Sequence, residues 1–249
     1  MAAFRRVWQE RDDLMRLAAI PVIATFALNI WFQPYAEMMF GAIQPGQEPD
    51  LAQMQSVQAP IILIGLANWL VIAIFMVNWM RALALGDGGP SGLGLDLRRR
   101  HIRMWLYLIG FLVCILFAFF IFMALVLVLL PIPAIVFAAT ILFLIWSLIV
   151  VVRLTPIWVG IAIDAPMKLR DAWRRTTGQG VGLAVAFVIV SLGLFFLQSL
   201  FLSLSISLGV LEAAPLALSF ISVVIQFIMF AAIGAVFVLA YPRFVSETV

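Results

Sequence analysis

The chain has 249 residues, 65% of them hydrophobic, with fifteen Lys and Arg against twelve Asp and Glu. Soluble domains are about half apolar, so a mean hydropathy of +1.18 excludes an ordinary soluble fold and points to an integral membrane protein. A net charge of +3 can mark a nucleic-acid partner, but here the bases flank apolar runs, which makes anionic lipid headgroups the expected counter-charge and no nucleic acid is expected.

Residues 3–16 place Phe4, Val7, Trp8, Leu14 and Met15 at three-to-four spacing, with Arg5, Arg6, Glu10, Asp12 and Asp13 between them. No small-residue cleavage site follows, so the segment reads as a retained amphipathic helix rather than a signal peptide. A span needs about 20 apolar residues at 1.5 Å each to cross about 30 Å of hydrocarbon. Six runs meet or approach that length: 17–35, 59–84, 103–130, 133–155, 181–208 and 215–241. The expected fold is therefore an all-α polytopic bundle, a single membrane domain of six spans arranged as three hairpins.

An even number of spans puts both termini on one side. The segments 1–16, 85–102, 156–180 and 242–249 then hold nearly all the bases, and Arg81 and Arg153 can snorkel to the same side. The segments 36–58, 131–132 and 209–214 hold no Lys or Arg and carry Glu37, Glu48, Asp50 and Glu212. Basic segments beside spans stay in the cytoplasm, so both termini are expected there. Trp31, Phe32 and Tyr35 suit the outer interface, and Trp79, Trp105, Trp158 and Tyr241 the inner one. The bases gather before spans one, three and five, in 3–16, 96–103 and 166–177. In 166–177, Leu169, Ala172, Trp173 and Thr176 form one stripe, with Lys168, Arg170, Arg174 and Arg175 around it. Pro166 suits a first helical turn and Gly178 a stop.

Polar residues inside the spans are few. Ser191, Gln198 and Ser205 recur every seven residues in span five, and Ser219, Ser222 and Gln226 share a face of span six. Gln198 and Gln226 each lie about ten residues from the outer turn, or about 15 Å deep. A carboxamide facing lipid is costly, so the two are expected to meet each other or a shared polar cavity. That contact reads first as packing glue and second as a substrate path. Asn29, Asn68 and Asn78 read as separate packing contacts, and no ionisable residue lies deep in a span.

Candidates for chemistry are poor, and no catalytic, metal-binding or cofactor-binding residue is assigned. His101, within Arg98-Arg99-Arg100-His101-Ile102-Arg103, is expected to be a solvated residue among cations. The one cysteine, Cys114, reads as a small hydrophobe. The glycine-rich stretch 86–94 lacks the Lys-Ser/Thr of a phosphate loop.

Arg153-Leu154-Thr155-Pro156, then Asp164, then Ala172-Trp173-Arg174-Arg175-Thr176-Thr177-Gly178 resemble a group of poorly characterised bacterial inner-membrane proteins. That group is related to the membrane domain preceding some glycerophosphodiester phosphodiesterases. The resemblance covers about thirty residues of the 249. It implies about six spans and a bacterial cytoplasmic membrane. No catalytic domain accompanies it, so no activity is implied. Read physically, Arg153 would bind headgroup phosphate, and Asp164 would offer its carboxylate to the free N–H groups of the following helix. The preferred reading is a non-enzymatic scaffold, assembly or envelope-maintenance protein acting through lipids and a membrane-protein partner. A transporter or channel for a small or amphipathic solute is the alternative, and an intramembrane lipid enzyme is third. The topology is directly testable: reporter fusions after residues 50 and 212 are expected outside, and fusions after 92 and 249 inside. A cytoplasmic Glu48 contradicts six spans.

Overall fold

The computed structural model describes residues 2–41, 50–86, 97–129, 132–178, 180–208 and 214–245. They form nine helices with no strand among the described residues: α1 Ala2–Gln9, α2 Arg11–Gly41, α3 Leu51–Leu85, α4 Arg99–Leu129, α5 Pro133–Arg153, α6 Thr155–Ala162, α7 Leu169–Arg175, α8 Gly180–Ser207 and α9 Pro215–Val245. Six helical segments are long and apolar enough to cross a membrane. The chain is an all-α, multi-pass membrane protein, with α2–α3, α4–α5 and α8–α9 packed as consecutive pairs. Pro45, Pro49, Glu48, Pro131, Glu212 and the glycine-rich 87–94 lie outside the described residues.

Local chemistry sets several helix ends. Asp50 Oδ1 accepts from the Gln53 N–H at 3.0 Å and caps α3. Gly86 closes α3 at φ 64°, with its N–H on the Ala82 carbonyl. Pro133 opens α5, where no amide hydrogen is needed. The prolines inside α2, α3 and α9 leave those helices continuous, as neighbours in a bundle allow.

Span four differs from the expectation. Pro156 does not end the helical run; after a break at Leu154, α6 carries it on to Ala162. Proline has no N–H for the Val152 carbonyl, four residues back. The Thr155 hydroxyl donates to that carbonyl instead, at 2.8 Å. Nearly all of α6 is buried, packed on α3, α4 and α9. The chain then turns sharply. The Ala165 N–H reaches the Gly160 carbonyl at 2.8 Å, and a Cβ on Gly160 would sit 2.6 Å from the Ala165 oxygen. Asp164 takes the left-handed conformation at φ 60°.

The core lies along α3, α6 and α9, closed by α1, α2 and the first turns of α4. Trp79 is fully buried there, and its indole N–H donates to the Ala231 carbonyl of α9 at 2.8 Å. Gly234 makes room: a Cβ on it would come within 3.0 Å of Trp79 Cδ1. Trp79 is thus a core residue, not the interfacial one expected. Large parts of α4, α5 and α8 present exposed Leu, Ile, Val and Phe instead. Such a surface suits lipid rather than water. Away from the core, Phe119 and Phe122 of α4 close on Phe143 of α5 at 5.2 and 5.5 Å.

The N-terminal segment is also corrected. It is not one amphipathic helix over 3–16, because Glu10 separates α1 from α2. The α1 face that packs is Ala3 and Val7, while Phe4 and Trp8 are exposed. α1 packs against α9, with Ala3 and Val7 in the core cluster.

Gly160→Ala is expected to lower the thermal unfolding temperature in detergent, because the Ala165 carbonyl must move. Gly182→Ala, whose Cβ meets open space, is expected to leave it unchanged or raised.

Candidate functional site

The polar residues with partners gather at the end of the bundle where the bases lie. Two clusters stand out. In the first, the Asp164 carboxylate accepts from Arg81 Nη1 of α3 at 2.8 Å and Arg100 Nη1 of α4 at 2.7 Å. Arg81 Nη1 also donates to the Ala162 carbonyl at 3.3 Å. One carboxylate therefore joins three parts of the chain. The sequence reading had Asp164 capping the next helix. It does not, because its left-handed backbone turns the side chain to the arginines, and Lys168 occupies the cap of α7 without a side-chain bond.

His101 sits beside this cluster. It is fully buried, which corrects the solvated placement expected from its arginine neighbours. Its Nδ1 accepts the Arg98 backbone N–H at 2.9 Å. This is one half of a capping box, made by a residue three positions into the helix. With Nδ1 accepting, Nε2 carries the proton and donates to Asn78 Oδ1 at 3.0 Å. The surrounding arginines point elsewhere because helical geometry places Arg98, Arg99 and Arg100 on other faces.

The second cluster is built on Arg153. Its Nη2 donates to the Trp173 carbonyl at 2.8 Å and to Thr177 Oγ1 at 2.9 Å. Its Nε donates to Thr176 Oγ1 at 3.3 Å. The guanidinium carbon lies 3.8 Å from the centroid of the Trp173 ring, a cation–π geometry. Arg153 therefore clamps α7 to the end of α5, with hydroxyls, a carbonyl and a ring as partners and, among the described residues, no carboxylate. Arg175 donates to the Phe244 carbonyl of α9 at 3.3 Å. Ala172 and Thr176 are buried beneath α7.

The other basic residues of α7 are turned outward. Lys168, Arg170 and Arg174 are exposed, as is Trp173. Arg174 has a long contact with Asp171 at 3.9 Å, 77% exposed on its side. Such pairs contribute about 0–1 kcal/mol.

Two cavities adjoin these clusters. One, of about 310 Å³, is almost wholly apolar and open at its side, lined by Trp69, Met76, Met104, Phe111, Trp158 and Phe237 among others. The other is an open cleft of about 900 Å³ between α4, α6 and α7.

Among the described residues, no hydrogen bond joins any two of Ser191, Gln198, Ser205, Ser219, Ser222 and Gln226. Gln198 and Gln226 are both half-buried. Ser205 Oγ turns back to the Phe201 carbonyl at 2.8 Å, and Ser191 Oγ is buried without a partner. The packing of α8 explains this. Phe187 stacks on Phe237 of α9 near the basic end, whereas Leu192, Phe195, Phe196 and Leu197, around Gln198, are exposed.

Among the described residues, no group of three or more His, Cys, Asp or Glu is arranged to hold a metal ion. No family model matches this chain, and no curated protein or solved structure is similar to it. The arrangement joins helices, leaves an exposed cationic surface, and opens an apolar cleft beside that surface.

Removing the Asp164 carboxylate leaves two arginines facing each other at the end of the bundle. The carboxylate is 55% exposed, so Asp164→Ala is expected to cost about 2 kcal/mol, between exposed and buried ion pairs. Thermal unfolding in detergent checks this. For Asn78→Ala and His101→Ala, a double-mutant cycle on unfolding is expected to give a coupling of about 1 kcal/mol.

Proposed function

We propose that this protein is a non-enzymatic organiser of a bacterial cytoplasmic membrane, acting through lipid and protein contacts at its basic, cytoplasmic end. The observation that carries this reading is the division of labour among the basic residues. Arg81, Arg100, Arg153 and Arg175 join helices to one another. Lys168, Arg170 and Arg174 stand exposed on α7 beside Trp173. A short helix with outward cations and an exposed indole is suited to the headgroup plane. The clamp by Arg153 holds that helix in a defined place, as a docking surface needs. Unpaired cations near an anionic leaflet contribute about 1 kcal/mol each.

One observation favours the alternative, transport of a small or amphipathic solute. The apolar cavity of about 310 Å³ could hold an occupant. Its walls contribute almost no polar surface, which suits an apolar solute rather than an ion.

Co-purification in mild detergent separates the two. The organiser reading expects a stoichiometric protein partner that is lost when Lys168, Arg170 and Arg174 are changed together to Gln, with the fold intact. A partner-free protein carrying a tightly bound solute in the bundle contradicts it and favours transport.

A further inference from the structure

We propose that the cleft between α4, α6 and α7 holds an acyl chain of an anionic phospholipid, with the lipid phosphate at Arg170. The inference deepens the reading above, on whose cytoplasmic placement of α7 it rests. The cleft has three walls. On α4, Leu106, Gly110 and Cys114 follow one another at four-residue spacing on one face, a ladder about 12 Å long at 1.5 Å per residue. Facing them are Leu154, at the break between α5 and α6, and Trp158 of α6. Across the mouth, α7 contributes Leu169, Arg170 and Trp173.

Three features point to a lipid rather than to another occupant. First, the polarity is graded as in a phospholipid: apolar along the ladder, cationic and aromatic at the mouth. Second, among the described residues no carboxylate pairs with Arg170 or Arg153 at the mouth, Asp171 lying against Arg174 instead. Arg170 is exposed, and Arg153 is held against Trp173 by hydroxyl, carbonyl and ring partners. A phosphate supplies the missing charge, and arginine binds phosphate in two-pronged geometry. Third, the ladder has a gap at its middle. A Cβ added to Gly110 would meet no atom within 4 Å, so the glycine leaves open depth where a chain can lie. The volume of about 900 Å³ falls in the range of ligand-binding clefts. The inner end of the cleft is bounded by Phe111 and Trp158, edge to face at 6.2 Å. These two rings also line the smaller apolar cavity.

The test uses the full chain in nanodiscs with a phosphatidylglycerol that carries a photoactivatable group in its acyl chain. Mass spectrometry then locates the adducts. They are expected in residues 106–114 and 154–158. Unlabelled phosphatidylglycerol is expected to compete at least about fivefold better than phosphatidylcholine, and Arg170→Gln to lower that preference about fivefold, the effect of one base near an anionic surface. Gly110→Leu is expected to remove the adducts by filling the gap. Should that variant unfold, the competition series on the parent protein decides alone. Adducts spread equally over the exposed segments 120–128 and 192–197 overturn the site. Equal competition by phosphatidylcholine overturns the anionic headgroup. Neither outcome bears on whether a protein partner co-purifies, so the organiser reading stands or falls separately.

Discussion

The arrangement at the basic end turns on one carboxylate shared by two arginines. Asp164 receives Arg81 from α3 and Arg100 from α4 at 2.8 and 2.7 Å. Its own backbone is left-handed, a conformation that costs a non-glycine residue about 1–2 kcal/mol. Two charge-assisted hydrogen bonds offset that cost. The turn also needs Gly160, because the Ala165 carbonyl occupies the space of its missing side chain. Thr155 in turn satisfies the carbonyl that Pro156 leaves without a partner. These local solutions let the chain continue past a proline, enter the core as α6, and return as α7 at a defined place.

That return path shapes the rest of the molecule. With α6 inserted beside α3 and α9, the core gathers at Trp79, Phe227 and Phe237, and α4, α5 and α8 are left at the perimeter. An aqueous protein could not expose so much Leu and Phe; a membrane protein can, because lipid replaces water as the solvent. The same path divides the basic residues. Those that meet the turn or α7 from neighbouring helices are used in packing. Those that α7 itself turns outward remain available. The basic end is thereby a structured surface.

Much of the architecture was legible in the sequence. The number of spans and their pairing into hairpins follow from runs of apolar residues, because a bilayer imposes its thickness on any segment that crosses it. What was not legible depends on who meets whom in three dimensions. Pro156 reads as a stop, and only the preceding Thr155, able to cover the exposed carbonyl, hints at continuation. His101 reads as solvated because its sequence neighbours are arginines. Its burial is decided by Asn78, twenty-three residues away. The outward cations of α7 were legible from helical spacing, but the structural use of Arg153 and Arg175 was not, since their partners include backbone carbonyls. Gln198 and Gln226 were placed at equal depth from spacing alone, whereas their helices share side-chain contact toward the basic end.

Asp164 fixes the turn out of α6, and Arg153 holds α7 in place over the cleft. The most direct measurement is the distance distribution between spin labels in nanodiscs, one on the native Cys114 and one on α7 at Arg174→Cys. With Arg153 present, a single narrow distribution is expected; in Arg153→Ala it is expected to broaden and lengthen as α7 comes free. A distribution of the same centre and width in both proteins would contradict the account.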